Sequence, residues 1–228
     1  NNEWSLITRT KTRHSYINEQ KKTKLSISLF YRSNIVEKLI FTFYNNQERP
    51  YIEIRSNRSC LYKNIRKIIY NKSKVAEEIQ SINIDLNSIE SRQYINPKLP
   101  ILKSKKNQNI IALVDTGVNY TLEKIKSNIA VKDGTLLGYD FWDGDKRPFD
   151  GDPRQNPFYP RHHGTTVFSV LAKEAPKSHI AIYRFPALDM CKFDDLIKHI
   201  AHNSIRIVNL SMGSKKIEDW LCFEKAVE

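Results

Sequence analysis

Two residues of this chain combine a reactive side chain with a setting suited to acid–base chemistry, Asp115 and His163. Asp115 follows an unbroken apolar run, residues 110–114, and precedes a Thr-Gly pair that ends at Gly117. Such a run is typical of a strand that is buried on both faces of a parallel sheet. An aspartate at the carboxyl end of that strand lies where open α/β sheets carry catalytic groups. The alternative is that Asp115 caps a helix starting near Tyr120.

His163 lies 48 residues after Asp115 and precedes Gly164 and an apolar helical stretch, residues 167–172. A histidine at the start of a helix can face a cleft, and the glycine lets another backbone pack closely. The adjacent His162 leaves a metal site as an alternative. Neighbouring histidines rarely face one centre, however, and no third ligand is spaced nearby. The sequence therefore favours a catalytic role for His163 and predicts no metal ligands.

An acidic loop precedes the histidines, with five aspartates and two glycines between positions 140 and 152. Clustered carboxylates with glycine can bind Ca²⁺. The spacing differs from that of an EF-hand, so a solvated turn is the favoured interpretation. We therefore expect no required cofactor, and a structural calcium ion is the alternative.

Four blocks of the chain, in the same order and at matching spacing, resemble the subtilisin-like serine peptidases. The blocks are Val-Asp-Thr-Gly at 114–117, His-Gly-Thr at 163–165, Glu-Ala-Pro-Lys at 174–177 and Val-Asn-Leu-Ser-Met-Gly-Ser at 208–214. Each block is weak alone, and together they are specific. The resemblance covers about residues 109–228. It departs from the family pattern at Thr166, where the family usually has a second histidine.

The resemblance implies a serine-type endopeptidase with an Asp-His-Ser catalytic triad. Asp115 and His163 would be two of its members, with His163 as the general base and Asp115 as the group that orients it. Ser211, Met212 and Gly213 would line the cleft and bind an extended peptide substrate through their backbone.

The family's nucleophile block, Gly-Thr-Ser, occurs nowhere in the sequence, and the oxyanion-hole asparagine is missing as well. We therefore expect the nucleophilic serine beyond this chain, on a complementary C-terminal segment, and expect this chain alone to be inactive. Two alternatives remain open. One is a catalytically inactive, protease-like binding module. The other is a retropepsin-like aspartic peptidase, since the sequence around Asp115 also fits an Asp-Thr-Gly loop of that all-β family.

The predicted fold of residues 101–228 is α/β, with a parallel doubly wound sheet that is incomplete at its C-terminus. Strands are predicted at 110–114, 180–184 and 205–210 because short apolar runs alternate with helical patterns. The helical patterns cover residues 122–128, 167–172, 193–202 and 218–227. The resemblance implies that this segment is the first half of a subtilisin-like peptidase domain.

Residues 1–100 are predicted to form a separate basic α+β module. Residues 1–109 contain 21 Lys and Arg against 9 Asp and Glu, a net charge of +12, whereas residues 110–228 contain 16 of each. Strands are expected at 24–31, 39–44 and 51–55, helices near 61–69 and 75–82, a partly mobile start at 1–23 and a linker at 87–109. The module is interpreted as a prodomain or an accessory domain.

Composition and motifs indicate which kinds of partner to expect for this chain. No apolar run reaches the length of a membrane span, and no nucleic-acid-binding motif occurs, so we expect neither a membrane span nor nucleic-acid binding. The family resemblance implies peptide or protein substrates as partners. The three cysteines form neither a ligand spacing nor an even disulfide framework. The first residues lack the charged-then-apolar pattern of a signal peptide, so we expect a mature or trimmed chain. The family resemblance alone favours a secreted or periplasmic protein.

Overall fold

The computed structural model describes residues 4–20, 23–103, 108–154, 156–185, 193–211, 213 and 217–227. The chain divides into two compact units, Asn1–Ile95 and Asn96–Glu228. Each unit has its own sheet.

The first unit is an eight-stranded antiparallel sheet whose strands follow one another in chain order. Its strands are β1 (Ser5–Arg9), β2 (Arg13–Gln20), β3 (Thr23–Arg32), β4 (Ile35–Tyr44), β5 (Pro50–Asn57), β6 (Tyr62–Tyr70), β7 (Ala76–Ile82) and β8 (Ile89–Tyr94). Among the described residues of this unit there is no helix. The three predicted strands are all present.

The predicted α+β character of the first module is wrong, because the two segments expected to be helices are strands β6 and β7. Ile65 and Ile68 suggested a helix by their three-residue spacing. In a strand, that spacing places them on opposite faces. Ile65 lies beside Ile82, Ile68 lies beside Ile79, and both are 3% exposed. Burial on both faces of the sheet thus imitates a helical period.

Two further expectations for this module are also corrected. Strands β1 and β2 lie within residues 1–23, which were expected to be a partly mobile start, and β8 lies within the segment expected to be a linker. The polar sequences of these outer strands gave little period-2 signal. These strands form nonetheless, because an antiparallel strand satisfies its backbone N–H and C=O groups through its neighbour. That pairing does not require an alternating apolar pattern.

We predict that Ile79→Ala destabilises the first unit by about 2–4 kcal/mol, because Ile79 is 2% exposed and truncation leaves a cavity between paired strands. Amide hydrogen exchange in β6 and β7 should accelerate. Ile84→Ala is the control, since Ile84 is 62% exposed, and should change stability by less than about 0.5 kcal/mol. Equal effects of the two substitutions would contradict a core at Ile79.

The second unit is built on a four-stranded parallel sheet. The strands of the whole second unit, in chain order, are β9 (Asn109–Asp115), β10 (Val131–Lys132), β11 (Thr135–Leu136), β12 (Gly138–Asp140), β13 (Ser178–Arg184) and β14 (Ile207–Leu210). The sheet order is β12-β13-β9-β14, and β10 pairs with β11 in a separate hairpin. The predicted parallel pairing of three strands is confirmed for β9, β13 and β14. The three-residue edge strand β12 was too short for a sequence signal.

The described residues of the second unit also contain three α-helices and one 3-10 helix. They are α1 (Gly164–Glu174), α2 (Phe193–His202) and α3 (Ile217–Val227), with a 3-10 helix at Glu123–Asn128. Ala112 and Val114 pack in one core cluster with Phe193 and Leu196 of α2. The intervening Leu113 packs in the other cluster with Phe168 of α1. Successive residues of β9 therefore bury opposite sides, as its unbroken apolar run predicted. None of the described helices is both long and apolar enough to cross a membrane.

Candidate active site

Asp115 is the last residue of β9 and its side chain is buried, with 1% of the residue exposed. The amide of Thr116 donates to Asp115 Oδ1 over 2.6 Å, and the amide of Phe185 donates to the Asp115 carbonyl over 2.8 Å. Asp115 pairs with Arg184 across the parallel strands. The position of Asp115 is thus fixed through its backbone, which pairs with β13 and accepts a hydrogen bond from Phe185.

His163 meets this carboxylate. Its Nδ1 lies 2.9 Å from Asp115 Oδ1 and 3.0 Å from Oδ2. The carboxylate can only accept, so Nδ1–H donates and Nε2 is left as the acceptor nitrogen of the neutral ring. The His163 side chain is 57% exposed. A proton donor such as a hydroxyl can therefore approach the ring.

His162 has a different partner from its neighbour. Its Nδ1 lies 2.7 Å from the backbone carbonyl of Asp150. The two histidines thus face different groups, as the sequence led us to expect. In the described part of the chain, no group of three or more His, Cys, Asp or Glu residues could hold a metal ion.

The start of α1 approaches the loop after β9 so closely that only glycine fits. A Cβ on Gly164 would lie 2.0 Å from the carbonyl oxygen of Gly117 and 3.2 Å from Asp115 Cβ. Gly117 itself has a φ of +93°, in the region that favours glycine. With glycine at both positions, the start of α1 lies close enough to the end of β9 for the His163 ring to contact Asp115.

A family model for the subtilase family, peptidase S8, matches residues 106–225. The matched residues make up more than half of the chain. The chain belongs to the subtilase family. No curated protein matches it by sequence. The family recognised from the four sequence blocks is thereby confirmed.

Arg184 of this subtilase is buried beside the candidate site, with 6% exposed. Its Nη1 donates to Asp140 Oδ2 over 2.9 Å and to Asp143 Oδ2 over 2.6 Å. Its Nε and Nη2 donate to the carbonyl of Gly151 over 3.0 and 2.7 Å. One guanidinium therefore joins the end of β13 to both ends of the acidic loop. The sequence did not reveal this role, since nothing in it predicts a buried arginine there.

Two further aspartates of the acidic loop also have arginine partners. Asp145 pairs with Arg147, and Asp152 pairs with Arg154. Four of the loop's five aspartates thus contact an arginine, and the fifth, Asp150, contacts two threonines instead.

The substrate-binding block of the family is described only in part. The Ser211 amide donates to the Val114 carbonyl over 3.4 Å, and its Oγ lies 2.6 Å from Asn209 Oδ1. A Cβ on Gly213 would lie 3.8 Å from the ring of Trp220. Met212 lies outside the described residues. Ser211 therefore follows β14 at the same sheet edge as Asp115.

We predict that Gly164→Ala prevents the close approach of α1 to β9 and destabilises the second unit by about 1–3 kcal/mol or more. The obstacle is backbone, which cannot rotate away as a side chain can. Gly151→Ala is the matched control in the neighbouring loop, since its Cβ would meet only Pro160 at 3.7 Å. Urea denaturation of the two variants should separate them. A Gly164→Ala variant as stable as Gly151→Ala would disprove the steric constraint.

Asp140 makes stability depend on pH. Burial raises its pKa to about 6, although Arg184 opposes the rise. In the unfolded state, an aspartate side chain has a pKa of about 3.9. Between these values the native state binds more protons than the unfolded state, so the free energy of unfolding should fall as pH rises from about 4 to 6.

Asp140→Asn should remove this slope, because the side chain no longer titrates. Asp133→Asn is the control, since Asp133 is exposed, and it should keep the slope of the wild type. Denaturant unfolding at pH 4, 5 and 6 measures both. An unchanged slope in Asp140→Asn would show that another group titrates in this range.

Proposed function

We propose that this subtilase chain provides the acid–base half of a serine-type endopeptidase, with Asp115 and His163 as two members of the triad. The observation that supports the proposal most directly is the contact between His163 Nδ1 and both oxygens of a buried carboxylate, at 2.9 and 3.0 Å. Family membership supports the reaction class. The substrate class is a peptide or protein.

The proposed chemistry follows from the protonation states that this contact favours. His163 Nε2 takes the proton from a serine hydroxyl as the oxygen attacks the scissile carbonyl, and later gives it to the leaving amine. Asp115 keeps the proton of the neutral ring on Nδ1 and stabilises the imidazolium that forms. Because Asp115 is held rigidly at the end of β9, the ring requires little reorganisation during proton transfer.

Substrate would bind at Ser211, Met212 and Gly213. The support is the position of Ser211, which lies at the end of β14 and contacts the strand that ends in Asp115. An extended peptide can add to such a segment through backbone hydrogen bonds, which places its carbonyl groups near the histidine.

The nucleophilic serine and the oxyanion donors would come from a complementary segment outside these 228 residues. That segment would extend an incomplete, doubly wound sheet of the subtilisin type. The support lies in β14, which is the last strand in the sheet order and pairs only with β9 among the described strands. Its residues Ile207 and Val208 are 60% and 42% exposed. An apolar edge strand of this kind favours pairing with another strand.

The two alternatives have less support. A retropepsin-like peptidase needs an all-β fold with paired Asp-Thr-Gly loops, whereas Asp115 ends a parallel strand of a sheet flanked by helices. No specific observation favours an inactive binding module. The first unit is proposed as a prodomain-like or accessory domain, on the basis of its separate sheet.

The test uses a polypeptide that contains this chain together with the segment bearing the serine. Asp115→Asn should lower kcat by about 10⁴-fold, because the ring loses the acceptor that fixes its tautomer. His163→Ala should lower kcat at least as much. His162→Ala is the matched control, since the His162 ring contacts the Asp150 carbonyl rather than Asp115, and should retain most activity.

The chain alone should neither cleave an unstructured protein nor react with a serine-directed fluorophosphonate. Turnover by the chain alone, with the label on Ser211, would place the nucleophile inside these residues. Full activity of His163→Ala in the longer polypeptide would disprove the assignment of the base.

A further inference from the structure

A second carboxylate, that of Asp150, is fully buried close to the Asp115–His163 pair, with 0% exposed. Its Oδ1 accepts from the Thr116 hydroxyl over 2.6 Å. Its Oδ2 accepts from the Thr165 amide over 2.9 Å and from the Thr165 hydroxyl. All its described partners are donors, and none is an arginine or a lysine. The sequence had placed Asp150 only in the acidic loop.

Asp150 fixes the direction of two hydroxyl protons. Thr116 and Thr165 each have one hydroxyl proton, and both protons point at Asp150. Their oxygens are thereby left as acceptors. Thr116 Oγ1 accepts from the amides of His163 and Gly164 over 3.2 and 2.9 Å. Without the carboxylate, each hydroxyl could rotate and lose its role as an acceptor.

These contacts replace the usual cap of a helix. The first amides of a helix lack partners within it, and the side chain of the N-cap residue commonly supplies one. Here the N-cap residue is His163, and its side chain makes no capping hydrogen bond. Thr116 accepts the amides of His163 and Gly164, and Asp150 accepts that of Thr165. The negative group also lies at the positive end of α1. The imidazole is therefore free to contact Asp115.

We propose that Asp150 is a positioning residue for His163, acting through Thr116 and Thr165 on the start of α1. This inference rests on the proposed function, in which His163 is the base. Asp150 need not touch the substrate. Its role is to hold the backbone of His163 at the place from which Nδ1–H reaches Asp115, and to do so without using the histidine ring as a cap.

Asp150→Asn is the sharpest substitution, because it keeps the shape of the side chain but replaces one acceptor oxygen by an NH₂ donor. Whichever way the amide turns, one of the two threonines faces a donor instead of an acceptor. Asp152→Asn is the matched control. Asp152 is also buried, with 8% exposed, but its carboxylate contacts Arg154 rather than the start of α1.

The first arm measures the 228-residue chain by NMR and needs no activity. In the wild type and in Asp152→Asn, ¹⁵N-imidazole spectra should show His163 mainly as the Nδ1–H tautomer. In Asp150→Asn, the Nδ1–H fraction should fall, and exchange of the His163, Gly164 and Thr165 amides should accelerate by about tenfold or more. Identical spectra and exchange rates in Asp150→Asn and Asp152→Asn would overturn the proposal.

Thr116→Val and Thr116→Ser form a second pair, which decides the matter if Asp150→Asn does not fold. Serine keeps the hydroxyl that links Asp150 to the His163 and Gly164 amides, and should preserve the tautomer. Valine removes the hydroxyl and should reproduce the effect expected of Asp150→Asn. If valine and serine leave the His163 tautomer equally intact, the link through Thr116 does not exist.

The second arm measures peptide hydrolysis by the longer polypeptide. Asp150→Asn should lower kcat by about 10–100-fold per folded molecule with KM within about twofold, whereas Asp152→Asn should match the wild type. A wild-type protein with no hydrolysis would refute the proposed function, while the NMR arm would still decide the role of Asp150. Active wild type with unchanged kcat in Asp150→Asn would overturn the positioning role alone.

Discussion

The burial of the Asp115 carboxylate is the constraint on which the rest of the second unit depends. A carboxylate removed from water is stable only if hydrogen bonds replace its hydration. Here the replacements are the Thr116 amide and the Nδ1–H of His163, which lies 48 residues away along the chain. The amide is supplied by the turn itself. The imidazole requires that α1 begin against the end of β9, which demands glycine at both 117 and 164.

Three carboxylates at this end of the sheet are no more than 1% exposed, and they are stabilised in three different ways. Asp140 pairs with Arg184, Asp115 with an imidazole, and Asp150 with two hydroxyls and an amide at the start of a helix. Only the imidazole has a second nitrogen, Nε2, that can accept a proton while the first stays hydrogen-bonded to its carboxylate. The arginine keeps its charge and thus serves as a fixed link. Under the proposed function, the Asp115 contact is therefore the one that takes part in proton transfer.

The sequence predicted the parts of this arrangement that depend on local pattern. Residues 110–114 could be recognised as a buried strand, and Asp115 and His163 could be singled out because motifs surround them. Contacts across long sequence separations left no such pattern. Asp150 accepts from Thr116, 34 residues away, and Arg184 donates to Asp140, 44 residues away. The prediction of helices in the first unit was wrong for a different reason. Isoleucines buried on both faces of β6 have the three-residue spacing that also occurs in a helix.

The His-Gly-Thr block can now be understood from three separate physical demands. The histidine must reach Asp115 with its ring, so it cannot cap the helix that it begins. The glycine must allow contact with the Gly117 carbonyl. The threonine must donate its hydroxyl proton to Asp150 while its oxygen accepts the Asn119 amide over 2.8 Å. Thr166, where the family pattern usually has a second histidine, is exposed, and its amide donates to the His163 carbonyl within α1. The departure from the pattern therefore lies outside the contacts that hold Asp115, His163 and Asp150 together.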